Sequence, residues 1–270
     1  MAESDKVSVR FSSNGLRNEG IVTAVRDLSR PPIAEAVIDV QFVPNTDIGI
    51  DAFEEAVKRL FVTPEATAQR RYMLEAVLKG SELNAALDLS SSQKLQSLVI
   101  SNAASNRIVS VAPDRLSVAH RAPYGGWDSI VTFAEESFHK FVGALAPPRI
   151  KRIAARFTNV ISAEGPEIDL DEYVTWSLGK PANIESPIIE FSHRTVLYNE
   201  EENLFGIVIF KDQKSPDKTK ASFVVDIDAF CHIDIETSFD VVAEKLAAIR
   251  KYKNYIFFGM MTEKTLEKYV

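Results

Sequence analysis

From Ile33 to Phe42 the chain alternates, with Ala34, Ala36, Ile38, Val40 and Phe42 on one side and Glu35, Val37, Asp39 and Gln41 on the other. That is the period of a half-buried β-strand. Pro31-Pro32 opens this strand, and Pro147-Pro148 opens a second apolar strand from Ile150 to Ile161. After the first strand Asp51 is a candidate N-cap with Glu54 three residues on, and Phe53, Val57, Leu60 and Phe61 recur at helical spacing. This predicts a short amphipathic helix. The runs YMLEAVL, AALDL, LQSLVI, RIVSV and RLSVAH then predict an antiparallel meander, punctuated by Lys79-Gly80-Ser81, Ser90-Ser91-Ser92, Ser105-Asn106 and Pro113-Asp114. Ile130, Phe133, Ala134, Phe138, Phe141, Val142 and Leu145 form the apolar stripe of a helix from Trp127 to about Leu145.

The second strand is followed by the same sequence of patterns. Ile153, Ala155, Phe157 and Ile161 share a side, and Leu170, Tyr173, Val174 and Leu178 predict a short helix after Asp169. Strands follow at IIEFSHRTVL, LFGIVIF and ASFVVDIDAF, and a closing helix from about Phe239 carries Val242, Leu246, Ile249, Tyr252 and Ile256. Thr262 with Glu263 predicts the cap of a last short helix. The expected fold is α+β: two pseudo-repeats of strand, helix, antiparallel meander and helix, with the helices on one face of a curved sheet. A meander has no crossovers to cover the other face. The expected division is a peripheral N-terminal arm over residues 1–30, a first repeat over 31–146 and a second over 147–270 with the C-terminal helices. Two unrelated α+β halves are the alternative. This order resembles the helix-grip arrangement and the duplicated saddle of TATA-box-binding proteins, a likeness of fold that carries no function.

Composition narrows the function classes. The 270 residues are 46% hydrophobic, enough for a full core, and the formal net charge of -7 disfavours a nucleic-acid partner. The start, MAESDKVSVRFSSNG, lacks the pattern of a secretory signal, and no apolar run is long enough to span a bilayer. A cytoplasmic protein without a membrane partner is expected. The lone Cys231 agrees with a reducing compartment.

Several stretches resemble a sporadically distributed family of uncharacterised bacterial proteins with an N-terminal PPI-x-E-A signature. Here it reads Pro31-Pro32-Ile33-Ala34-Glu35-Ala36. PDRLSVAHRAPYGGW, the strand Arg156-Phe157-Thr158-Asn159 and the ending IRKYKNYIFFGMMTEKTLEKYV are similar to its further motifs. Sporadic occurrence implies an accessory role, in defence or beside a toxin. The resemblance brings no activity, cofactor or catalytic residue with it.

Glu35 and Asp39 on the polar side of the first strand, with Arg152 and Arg156 on that of the second, form the candidate ligand- or partner-binding set. Asn159 joins them from the Arg-aromatic-x-Asn stretch. A forked guanidinium suits an anionic group, and a salt-bridge network between the repeats explains the same residues. Asp226, Asp228, His232 and Asp234 alternate along one strand, as metal ligands or as a solvated face; the solvated face is expected, and no metal. Cys231 reads as a core residue and His139 as solvent-facing, while His120-Arg121 and His193-Arg194 suggest paired anion sites or coincidence. Gly125-Gly126 reads as a turn, since GxGxxG and GxxxxGK[ST] are both missing. With no G-x-S-x-G, CxxC or H-E-x-x-H, no cofactor is expected and the balance leans away from an enzyme. The expected function is non-enzymatic recognition or assembly with another protein or a second copy. The alternative is an enzyme or small-molecule binder using the open sheet face around Glu35, Arg152 and Arg156.

Overall fold

The computed structural model describes residues 8–10, 28–79, 88–163, 165, 167–176, 189–214 and 219–270. The alternating segment becomes strand β2 (Ile33–Phe42), preceded by a short strand β1 (Ser8–Arg10) and followed by helix α1 (Ile50–Phe61). Strands β3 (Ala66–Lys79), β4 (Asp88–Asn102), β5 (Arg107–Ala112) and β6 (Arg115–Arg121) lead to helix α2 (Trp127–Leu145). Next come β7 (Arg149–Ser162), β8 (Glu167–Asp169) and a single 3-10 turn at Leu170–Glu172. Strands β9 (Ser192–Asn199), β10 (Leu204–Gln213) and β11 (Ser222–Glu236) then precede helix α3 (Phe239–Met260) and the short α4 (Glu263–Leu266).

Among the described residues nine strands form one sheet in the order β3-β4-β5-β6-β2-β7-β11-β10-β9. Every neighbouring pair in it is antiparallel. β2 therefore pairs on one side with the strand that precedes α2, and β7 on its far side with the strand that precedes α3. The central seam is β2 against β7, with Val37 opposite Arg156 and Asp39 opposite Ala154. A separate parallel pair joins β1 to β8.

Both long helices cover the same face. Ile130, Phe138, Phe141 and Leu145 of α2 share one core with Val242, Leu246, Ile249 and Ile256 of α3. The sheet meets them with Ile38, Val40, Ile153, Phe157, Val225 and Ile227. At Gly206 on β10 an added Cβ would lie 2.6 Å from Ile256 Cδ1 and 3.3 Å from Tyr252 Cε1, so the missing side chain lets α3 approach closely. Gly126, at φ +94°, adopts the backbone that Gly supplies at the entry to α2.

Three expectations need correction. Asp51 does not cap α1 but lies in its first turn, the cap position being Gly49. Ser90-Ser91-Ser92 is not a turn but part of β4, paired with Ala76, Val77 and Glu75 on β3. Serine tolerates a strand when a paired neighbour, here β3, fixes its backbone, and local propensity then loses to pairing. The short helix after β7 is reduced to the 3-10 turn, whose start is held by the Asp169 carboxylate accepting from the Asp171 N–H; Leu178 lies outside the described residues, as do 80–87 of the expected meander. Thr262, by contrast, caps α4 as expected, accepting from the Thr265 N–H.

Candidate functional site: a closed charge strip and an open cationic cavity

Period-two alternation sends Glu35, Asp39, Arg152 and Arg156 to the sheet face opposite the helices, because their neighbours Ile38, Val40, Ile153 and Phe157 fill the core. Arg152 reaches Asp39 at 3.1 Å and Asp228 at 2.7 Å, and its guanidinium lies 4.2 Å from the Phe230 ring centre. Asp39 also accepts from Ser117 Oγ at 2.5 Å. Arg156 turns to Asp226, using Nε and Nη2. Glu35 is held by Arg121 at 3.3 Å and makes no ion pair with Arg156 among the described residues. Of the expected set, then, the structure joins Asp39 to Arg152 and gives Glu35 and Arg156 other partners.

Asn159 belongs elsewhere. One residue out of step with Thr158, it points into the helix-covered side and gives its amide hydrogens to the carbonyls of Phe157 and Val225.

The sequence reading missed the acidic half of this strip. Asp226 and Asp228 are not a solvated face: Asp226 is 6% exposed, and burial raises the Asp228 pKa despite the pull of Arg152. Hydrogen bonds to Asp226 raise that of Arg156 in turn. The signal existed in β11, where Asp226 and Asp228 interrupt the otherwise apolar run from Phe223 to Cys231, but only the register, with Asp228 opposite Arg156 and Asp226 opposite Thr158, brings them within reach of Arg152 and Arg156. Among the described residues no group of three or more His, Cys, Asp and Glu could hold a metal ion. The dipeptides His120-Arg121 and His193-Arg194 do not make anion sites either, because adjacent strand residues face opposite ways. His120 is buried against Phe133 with Nε2 unpartnered, its pKa lowered by burial and by Arg107, whereas Arg121 holds Glu35 on the other face. Cys231 is buried, and burial raises its thiol pKa.

The helix side holds a cavity of about 120 Å³ between β7, the start of α2 and the second half of α3. Its walls include Pro31 and Pro32, Tyr124 and Trp127, Phe157 and Asn159, and on α3 Arg250, Lys253 and Asn254. Trp127 and Phe157 lie near-parallel with ring centres 6.2 Å apart, and Tyr124 meets Phe157 edge-on. Arg250 lies 5.3 Å from the Trp127 ring centre, and the Lys253 amine 4.0 Å from that of Phe157. Neither cation makes an ion pair among the described residues, and none of the described residues lining the cavity is Asp or Glu. Burial and the neighbouring Arg250 push the Lys253 pKa down to about 7. Burial raises the Tyr124 phenol, so it stays a neutral donor.

Sequence reasoning passed over Lys253, although its position carried a signal. It stands four residues after Ile249 and three before Ile256, on the buried stripe of α3 where a cation is out of place. The chain matches no protein-family model and none of the curated proteins.

Proposed function

We propose that this chain is a non-enzymatic recognition and assembly protein, a duplicated α+β saddle whose helix-free sheet face seats another protein. The observation that carries this reading is the apolar half of that face. Val196 and Tyr198 on β9 are 51% and 53% exposed, and beside them stand Phe205, Ile207 and Ile209 on β10. Tyr198, Phe205 and Phe230 form a ring ladder over three strands, with neighbouring centres 4.7 Å and 5.3 Å apart, which runs on into Arg152. A contiguous apolar patch beside a polar strip is the usual composition of a protein-binding surface. A nucleic-acid partner gains no support, because in the strip Arg115, Arg121, Arg152 and Arg156 are matched by Glu35, Asp39, Asp226 and Asp228. A small-molecule site on this face gains little, since Arg152 is already engaged on two sides.

The duplication is supported by the strand order, in which β6 flanks β2 as β11 flanks β7 about a β2–β7 seam. The test of the function is affinity capture from cells of the source, comparing the wild type with Val196→Asp/Tyr198→Asp and with a control, Glu244→Lys, on the exposed side of α3. A stoichiometric protein held by wild type and control but lost by the double variant is the expected result. Capture insensitive to the double variant, or the absence of a stoichiometric protein, contradicts the reading.

A further inference from the structure

Arg152 and Arg156 on the open face have carboxylate partners, and among the described residues Arg250 and Lys253 in the cavity have none. Lys253 is half-buried, a costly place for a cation without a counter-ion and one that proteins ordinarily answer with a carboxylate, while Arg250 beside it is exposed. This chain has 38 Asp and Glu residues against 31 Lys and Arg, yet none of those described reaches Arg250 or Lys253. The two cations stand one helical turn apart on α3, each against an aromatic ring. Cation–π contact offsets part of the desolvation, while leaving the N–H donors unpaired.

We propose that this cavity is a binding site for a small organic anion, a planar ring bearing a carboxylate, whose carboxylate Arg250 and Lys253 hold. Arginine gives the fork that matches a carboxylate, and lysine adds a second donor from the next turn. The apolar body of the ligand meets Pro31, Pro32 and the Tyr124 ring. Asn159 supplies orientation: both its amide hydrogens are committed to strand carbonyls, so its Oδ1 is left as an acceptor for a ring N–H or hydroxyl. A closed cavity of roughly 150 Å³ accommodates benzene, so this one of about 120 Å³ takes no more than a single ring, with the carboxylate at its solvent-open mouth. The inference is independent of a partner on the opposite face of the sheet.

The probes are benzoate and its neutral isostere benzamide, titrated calorimetrically into the full chain at moderate ionic strength. Benzoate is expected to bind in the millimolar range or tighter and benzamide at least about tenfold more weakly. Lys253→Met and Arg250→Met should each weaken benzoate by about tenfold or more, and Lys253→Arg, which keeps the charge, by less. Should a methionine variant fail to fold, acetylation of the wild type followed by peptide mass mapping gives a second readout: saturating benzoate must slow modification of Lys253 and leave Lys251 unchanged. Benzoate that does not bind, binds no better than benzamide, or binds without protecting Lys253 overturns the proposal. Inorganic phosphate competing as well as benzoate would also overturn it, because the planar ring would then contribute nothing.

Discussion

Arg152 and Lys253 place the same charge in two settings, and the difference predicts opposite mutational outcomes. Arg152 is the hub for Asp39 and Asp228. Arg152→Ala strands Asp228 and leaves Asp39 to Ser117 and Arg115, and should cost about 3 kcal/mol in chemical denaturation. Arg156 is half exposed while its partner Asp226 is buried. Its removal should cost less, about 1 to 2 kcal/mol, mostly the penalty of an unpaired Asp226. A double variant Arg156→Ala/Asp226→Ala that loses as much as the sum of the singles would contradict the pairing. Lys253 behaves otherwise, since Lys253→Met removes an uncompensated charge and should stabilise the free protein at neutral pH by about 1 to 2 kcal/mol.

The sign of the pH dependence follows from the depressed Lys253 pKa. Between about 7 and the ordinary value of 10.5 the unfolded chain holds the proton more often than the folded one, so the Lys253 contribution to stability rises with pH across that window. Below about 7 both states are protonated and the contribution is flat. Thermal melts from pH 7 to 10 should show a shallower rise in Lys253→Met than in the wild type; equal slopes would place the effect elsewhere. Asp228 has the opposite behaviour. Its raised pKa means that stability from this group falls as pH rises from 3.8 into the window just above it, and Asp228→Asn should remove that fall.

Among the elements, α3 depends on what β10 lacks. Gly206→Val would drive a branched side chain into Ile256 and Tyr252, and about 1 to 3 kcal/mol of destabilisation is expected, with Gly206→Ala milder because Ile256 Cδ1 can swing away. Unchanged melting in Gly206→Val would mean that helix and strand are not in contact there. The end of α2 gives a test in the other direction: Ala146 sits in the left-handed region at φ 42°. Ala146→Gly should stabilise by about 0.5 to 1 kcal/mol in the same assay.

The boundaries of these elements were legible where local chemistry decides them. Ile33–Phe42 and Trp127–Leu145 were readable from period and flanking Pro and Gly, and Thr262 from its capping pattern. Elements decided by distant partners were not. The serines of β4 take their strand from β3, and the expected helix after β7 shrinks to one turn beside β8, whose pairing with β1 no local pattern announces.

Over the whole molecule, element order was enough to foresee helices on one face of an antiparallel sheet, because amphipathic stripes must be buried against something and a meander leaves only one side for them. The pairing of the central strands was legible only in outline. That Asp39 meets Arg152 follows from β2 lying beside β7, but the register also lets Asp228 and Asp226 take the guanidiniums, and register is a long-range property. The cavity was hidden for the same reason: Pro31, Tyr124, Phe157 and Lys253 are far apart in the chain and converge only in the fold. What the assembled molecule adds is a division of charge among the described residues, paired across the central strands β2, β7 and β11 and unpaired in the cavity.

That division is tested most directly by an NMR titration of the Lys253 side chain, in protein labelled at the lysine Cε, with and without saturating benzoate. Arg250 on the same helix and Tyr124 facing it line the cavity and supply no negative charge near neutral pH, and Asp128 at the start of α2 is the carboxylate beside it, acting on Tyr124 while forming no ion pair with either cation among the described residues. The account predicts that Lys253 titrates near 7 in the free protein and moves up by at least about one pH unit when the anion is bound. An ordinary lysine value in the free protein, unmoved by benzoate, would contradict it.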